Sequence, residues 1–401
     1  MSNWNKLYPY WFLLFTIGVA WFVLAPLVPD ISSAFGIASS NVGSVLLLIS
    51  MYGYTMVVLG LLAGWISAKF TVKSALYLAA IMSVIGLVGR AMSVNYDMLL
   101  VFQVIAAVAY PLAMAPVGTV AESLFKEKSH TVVGISVGIL FFGLAVGSFV
   151  GPSLASSFGL YGTLWITAIL AIVAALWIFT GIKGYPVNYK GKSLKGTFKW
   201  GMLKNWWVGF AIASMSVMFG GIASTVLIAD GFPTSTAIGY GGLLGGLAFL
   251  GSALGAIIMP PIFENANKVR FGLIFNAVLA FVFVMLVGYG LAYHPSLPLL
   301  LASFFLFGFF GNAYWSMALT STTKYVSDPA RAGFATSMYS VITNIGVAII
   351  PVYLGPSFIT NPSVAISALG VIELIALLCA PLLVVTAAAA IIRKNNSRKR
   401  R

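Results

Sequence analysis

Long apolar runs separated by short polar gaps dominate this chain, and their length of roughly 20 residues matches the ~30 Å hydrocarbon core of a bilayer. Only helices or closed barrels satisfy backbone hydrogen bonds in lipid. The pattern predicts helical spans over 10–28, 42–63, 72–90, 97–118, 131–154, 160–180, 205–227, 236–259, 270–291, 296–318, 332–354 and 364–390. That is an all-α polytopic membrane protein with twelve transmembrane helices. The first span lacks a small-residue cleavage signature, and Pro29-Asp30 reads as a helix exit, so this helix is expected to stay in the mature protein.

The polar gaps are not equivalent. With both termini on the cytoplasmic side, Lys6, Lys69, Lys73, Lys126, Lys128, Lys183, Lys190, Lys192, Lys195, Lys199, Lys204, Lys268, Arg270, Lys324, Arg331 and the six basic residues between Arg393 and Arg401 all fall inside. Arg90 alone falls at an outer loop, so 21 of the 22 basic residues obey the positive-inside rule. The net charge of +14 therefore reports topology, and a plasma-membrane location is expected. The basic tail 393–401 suits anionic lipid headgroups better than nucleic acid. With 60% hydrophobic and 7% charged residues, a water-soluble fold is excluded. The single cysteine excludes an intrachain disulfide and thiol-built metal centres.

The stretch from Lys183 to Lys204 holds no acidic residue and reads as a cytoplasmic connector. It divides the chain into an N-terminal six-helix bundle (1–182), the connector (183–204), a C-terminal six-helix bundle (205–392) and the tail (393–401). Gly134 and Gly333, Gly138 and Ser337, Gly147 and Gly346, and Pro152 and Pro351 each stand 199 positions apart, as a duplication would leave them. Two pseudo-symmetric bundles starting on the same side form a parallel repeat that can rock about a midplane site.

Over essentially its whole length the chain resembles the major facilitator superfamily. After the second span, Gly64, Lys69 and Lys73 match the family's loop motif, while Ala68 replaces its aspartate and Thr71 its second glycine. In the fourth span Gln103 stands where many relatives carry a buried arginine associated with proton coupling. Gly143, Gly147, Gly151 and Pro152 resemble the glycine-rich fifth-helix motif of many exchangers; glycines four apart also allow close helix packing. The run from Gln103 to Tyr110-Pro111, with Pro116 and Ala121-Glu122, is similar to choline and heme-associated carriers and to cyanate or nitrate-type carriers.

The resemblance implies that helices one, four, seven and ten line the cavity, flanked by two, five, eight and eleven. Candidate lining residues are Trp21, Tyr54, Gln103, Tyr110, Asn312, Trp315, Tyr339 and Asn344, an aromatic and amide set without a cation at mid-depth. Such a set suits a quaternary amine through cation–π attraction, or a neutral or amphiphilic solute. A small anion would want a buried Arg or Lys. Ionisable groups at membrane depth are costly and default to function, which makes Asp30, Glu122 and Glu373 the coupling or gating candidates.

These residues predict transport of a small organic solute by alternating access. A proton-coupled exporter of hydrophobic compounds, a small-anion carrier and a non-transporting receptor or scaffold are the alternatives. Protons are a candidate co-substrate, a monomer is expected, and no cofactor or metal is called for. His130 and His294 fall on opposite sides, so no clustered catalytic set supports an enzyme, and no phosphate-binding loop supports ATP-driven transport.

Overall fold

In a computed structural model of the chain, residues 3–37, 42–125, 128–182, 185, 194–293, 296–326 and 329–385 are described. The basic tail and residues 183–184 and 186–193 of the connector lie outside these residues. Ten described helices are long and apolar enough to cross a membrane. One of them, Ser129–Gly181, runs for 53 residues. At 1.5 Å per residue this is about 80 Å, more than twice a bilayer core. Gly159, at φ 69°, breaks it into two spans, a left-handed conformation that a side chain would disfavour. Tyr8–Phe22, at 15 residues, adds a shorter helix on the N-terminal side. Ten, one by division and one by addition make twelve.

We label these α1 (Tyr8–Phe22), α2 (Val42–Lys69), α3 (Val72–Ala91), α4 (Tyr96–Met114), α5 (129–158), α6 (160–181), α7 (Leu203–Ala229), α8 (Thr234–Asn265), α9 (Val269–Tyr293), α10 (Leu297–Thr323), α11 (Pro329–Leu354) and α12 (Pro362–Cys379). Prolines mark three of the departures from the expected spans. The first span stops at Phe22, and after turns containing Pro26 a short helix, Val28–Ala34, carries Asp30. The fourth divides at Pro116 into α4 and a short helix, Val117–Leu124. The last gives way at Ala380 to a 3-10 turn containing Pro381, which has no N–H to donate to the helical ladder.

The end of the molecule that carries the basic loops is called inner below. In the N-terminal half α1 packs on α5, and α3 and α2 pack on α4; in the C-terminal half α7 packs on α11, and α8 and α9 pack on α10. The halves meet along α5 against α8 and α2 against α11. Lipid offers no hydrophobic drive between helices, so close approach and hydrogen bonds hold them.

Both copies of the repeat use small residues in the same way. A Cβ on Gly134 would strike the Ala256 carbonyl of α8, and one on Gly333 would strike Thr119, so both positions serve the contact between halves. A Cβ on Gly147 would come within 2.6 Å of the Val19 carbonyl of α1, and one on Gly346 within 2.8 Å of the Phe210 carbonyl of α7. Interhelical hydrogen bonds repeat the symmetry: the Tyr10 hydroxyl donates to the Ala113 carbonyl (α1 to α4), and the Asn205 amide donates to the Ala318 carbonyl (α7 to α10), each at 2.9 Å.

Candidate functional site

Where the halves face each other, seven helices enclose a cavity of about 30 Å³. The N-terminal half contributes Trp21 from α1, Tyr110 and Met114 from α4, and Leu140, Phe141 and Leu144 from α5. The other half contributes Ala213, Ser216 and Val217 from α7, Phe249 from α8, Trp315 from α10, and Thr343, Asn344 and Val347 from α11. Sites for organic ligands run to roughly 300–1,000 Å³, so admitting a solute requires these walls to part.

The walls are aromatic and interlocked. Trp21 stacks on Tyr52 of α2, with ring centroids 4.8 Å apart and planes 8° apart, and meets Tyr110 at 5.0 Å. Its indole N–H donates to the Ile49 carbonyl at 2.8 Å, which fixes the ring. Across the interface Phe22 meets Phe249 edge-on at 4.4 Å, and Phe141 touches both Phe249 (6.0 Å) and Trp315 (6.4 Å). Trp315 is backed by Tyr339 at 5.3 Å, whose hydroxyl donates to the Trp315 carbonyl at 3.0 Å. The Asn344 amide donates to the Ser340 carbonyl at 2.8 Å. The Trp315 indole N–H, buried beside the cavity, has no partner among the described residues.

The candidates thus divide. Trp21, Tyr110, Trp315 and Asn344 come together at the cavity, and Tyr339 supports them from behind. Tyr54 points away from the cavity and is 38% exposed; its neighbour Tyr52 takes the inward place, because two residues turn a helix by roughly 200°. Asn312 donates to the Ser252 carbonyl at 3.0 Å and ties α10 to α8. Gln103 is buried inside the N-terminal half, where its amide donates to the Leu48 carbonyl of α2 at 2.8 Å.

The carboxyl candidates are scattered. Asp30 is exposed in the first turn of the short helix Val28–Ala34. Glu122 belongs to the short helix Val117–Leu124, and its side chain lies outside the described residues. Glu373 on α12 is 2% exposed and one of its oxygens lacks a partner, but it does not line the cavity. It turns inward on a stretch of α12 whose Ile372 carbonyl accepts from the Trp207 indole and whose Ala376 carbonyl accepts from the Tyr314 hydroxyl.

The loop-motif and helix-packing residues have separate places. A Cβ on Gly64 would lie 2.8 Å from the Ser337 Cβ of α11, at the contact between halves. Lys69 stands over the Trp65 ring at 4.5 Å, and Lys73 lies in the first turn of α3. Thr71, in place of a glycine, caps α3 by accepting from the Ser74 N–H at 2.9 Å, satisfying a helix-end donor. Gly143 and Gly147 admit the backbone of α1 and Gly151 that of Val23 just past its end, and Pro152 lies within the helical trace one residue further on.

Two features exceed what the residues alone foretold. Glu264, at the inner end of α8, accepts from the Thr131 N–H (3.2 Å) and hydroxyl (3.1 Å) at the start of α5. A carboxylate at a helix N-terminus is favourably placed, so this pair latches the inner ends of the halves together. Arg90, expected beside an outer loop, is instead wholly buried. Its guanidinium turns inward from the last turn of α3 and donates to the Ala20 carbonyl of α1 (2.9 Å), Gln103 Oε1 of α4 (2.9 Å) and Thr167 Oγ1 of α6 (2.8 Å). Its position at a span end concealed the inward turn of a long side chain.

A family profile described as Major Facilitator Superfamily matches residues 10–288. Among solved structures, the human organic anion transporter MFSD10 (TETRAN) aligns at a TM-score of 0.69 and 14% identity, covering 95% of this chain and 100% of its own. A variant of the E. coli fucose:proton symporter FucP aligns at 0.69 and 15%, with 94% and 98% covered. FucP in the outward conformation aligns at 0.69 and 16%, with 94% and 96% covered. A search of curated proteins finds no match to the sequence.

Proposed function

The chain belongs to the major facilitator superfamily and is a membrane transport protein for a small solute, and on that premise we propose that it moves a small, largely apolar organic compound by alternating access. The observation that carries this reading is the cavity closed between the halves by aromatic rings from both, Trp21 and Tyr110 on one side and Trp315 and Phe249 on the other. Rings supply apolar contact to the body of a solute, and each must move when the halves part. The neighbours named above carry solutes as different as an organic anion and fucose, so the fold leaves the solute class open.

For coupling, the cavity wall holds no carboxyl, imidazole or amine among the described residues. Uniport or substrate-driven exchange needs no titratable group there, and this is the cycle we adopt. Glu373 is the one observation that favours a proton-coupled cycle, since a buried carboxyl at membrane depth is a costly feature to retain. The positive-inside pattern supports termini in the cytoplasm and the latched ends as a cytoplasmic gate.

A disulfide across that gate tests the cycle. A Cβ on Gly333 would stand 3.4 Å from the Thr119 Cβ, near the ~3.5 Å lower bound for a disulfide-bonded pair. In a Cys379→Ser background, Thr119→Cys with Gly333→Cys should cross-link on oxidation, abolish solute counterflow in proteoliposomes and recover it on reduction. Undiminished flux through fully cross-linked protein would sink alternating access with an opening inner gate.

A further inference from the structure

The cavity's surroundings carry one uncompensated charge. Arg90 is wholly buried, and all three acceptors it reaches are neutral: a backbone carbonyl, an amide oxygen and a hydroxyl. No carboxylate among the described residues pairs with it, and its Nε–H has no partner. Tying helices together does not by itself need a charge, because a neutral amide donates hydrogen bonds without the desolvation cost of a buried cation. The location of the charge matters more. Ala20, which accepts from the guanidinium, immediately precedes Trp21, and Gln103, which also accepts from it, donates to the Leu48 carbonyl next to Ile49, the acceptor of the Trp21 indole, whose ring stacks on Tyr52. The cation therefore stands one aromatic layer behind the cavity wall, where little water screens it.

Two hydrogen-bonding groups at the wall lack a partner among the described residues, the Trp315 indole N–H and the Thr343 hydroxyl, and both can donate. The Trp315 indole N–H is a donor without a partner, and an indole can only donate. Among the described residues the wall offers no carboxylate to receive a cation. A field from a buried guanidinium and an unpaired donor both favour an electron-rich or negative group, and both oppose a quaternary amine.

Resting on the carrier reading above, we propose that the transported solute is a small organic monoanion, a carboxylate head on an apolar body, and that Arg90 sets this charge class from behind the Trp21–Tyr52 wall. Arg90 acts here as a positioning and field-setting residue without touching the solute. The aromatic rings hold the body, and the Trp315 N–H meets the head.

The test is a charge series on constant bodies: 3-phenylpropionate, its amide and the matching trimethylammonium compound, and hexanoate with its amide and trimethylammonium counterparts. Each is titrated calorimetrically into full-length purified protein. We expect at least one carboxylate to bind about ten-fold or more tighter than its amide, a step worth about 1.4 kcal/mol, and the trimethylammonium compounds not to compete. Arg90→Gln should bring that carboxylate down to the level of its amide while leaving amide binding unchanged, a ratio that a purely structural role would not move. Trp315→Phe, which keeps the ring and deletes the donor, should weaken the carboxylate more than the amide and does not depend on the Arg90 variant folding. Amide or trimethylammonium bound as tightly as carboxylate, no carboxylate bound at all, or a ratio unchanged in Arg90→Gln would overturn the proposal. These outcomes leave the cross-linking result untouched, whereas flux through cross-linked protein would overturn the carrier reading whatever the series showed.

Discussion

Individual glycines differ sharply in what they tolerate. A Cβ on Gly255 of α8 would fall onto the Phe309 carbonyl of α10, and one on Gly308 onto the Ala248 carbonyl of α8, so neither helix has a flexible side chain that can yield. Gly239, also on α8, has nothing within 4 Å of its position. Gly255→Ala should therefore lower stability by about 1–3 kcal/mol, while Gly239→Ala should change it by less than about 0.5 kcal/mol. Thermal unfolding of the two variants in the same detergent checks this, and equal melting temperatures would refute the packing argument. Which glycines were close contacts was partly legible in the sequence. Gly147 and Gly346 stood out through their common spacing, whereas Gly255 lay in a glycine-rich helix where no local pattern separates a contact from a bystander. Tyr52 and Tyr54 show the same limit: α2 is apolar on every side, so no polar face marks which of the two tyrosines turns inward.

Helices act here through their ends as much as their faces. The inner end of α8 meets the inner start of α5 through Glu264 and Thr131, while α2 and α11 close beside them at Gly64 and Ser337. The outer part of the α5–α8 crossing has its own tie, the Ser148 hydroxyl donating to the Gly242 carbonyl at 3.0 Å. Removing the inner tie alone should bias the halves toward inner opening. Glu264→Ala should raise the rate at which a maleimide labels Thr119→Cys by roughly five-fold, a shift of about 1 kcal/mol once solvent screening of a half-exposed pair is allowed for. An unchanged labelling rate would mean that the glycine contacts alone keep this end shut. The helices themselves were readable because bilayer thickness dictates the length of an apolar run. Their ends were less so: Pro26 and Pro116 divide spans that composition alone runs together.

At the scale of the whole molecule, two bundles with duplicated contacts enclose a site neither could build alone. Large aromatics on the first, fourth and tenth helices, together with Asn344 on the eleventh, made half of the cavity candidates legible, since the family resemblance orders the helices around the axis. The sign of the electrostatic field at the site was not legible. It depends on a guanidinium that turns inward to groups on three helices, and a linear sequence places Arg90 only beside a loop. The small cavity also sets a cost of opening in solvent. Growing from about 30 Å³ to the ~300 Å³ of a modest ligand site, at ~30 Å³ per water, draws in roughly nine water molecules. Each turnover then breathes bulk water, and the open states are the hydrated ones. Polymers too large to enter should slow counterflow as the osmotic pressure rises, while small permeating osmolytes at matched pressure should leave it unchanged; the carrier would thereby sense the dryness of its surroundings as well as the concentration of its solute.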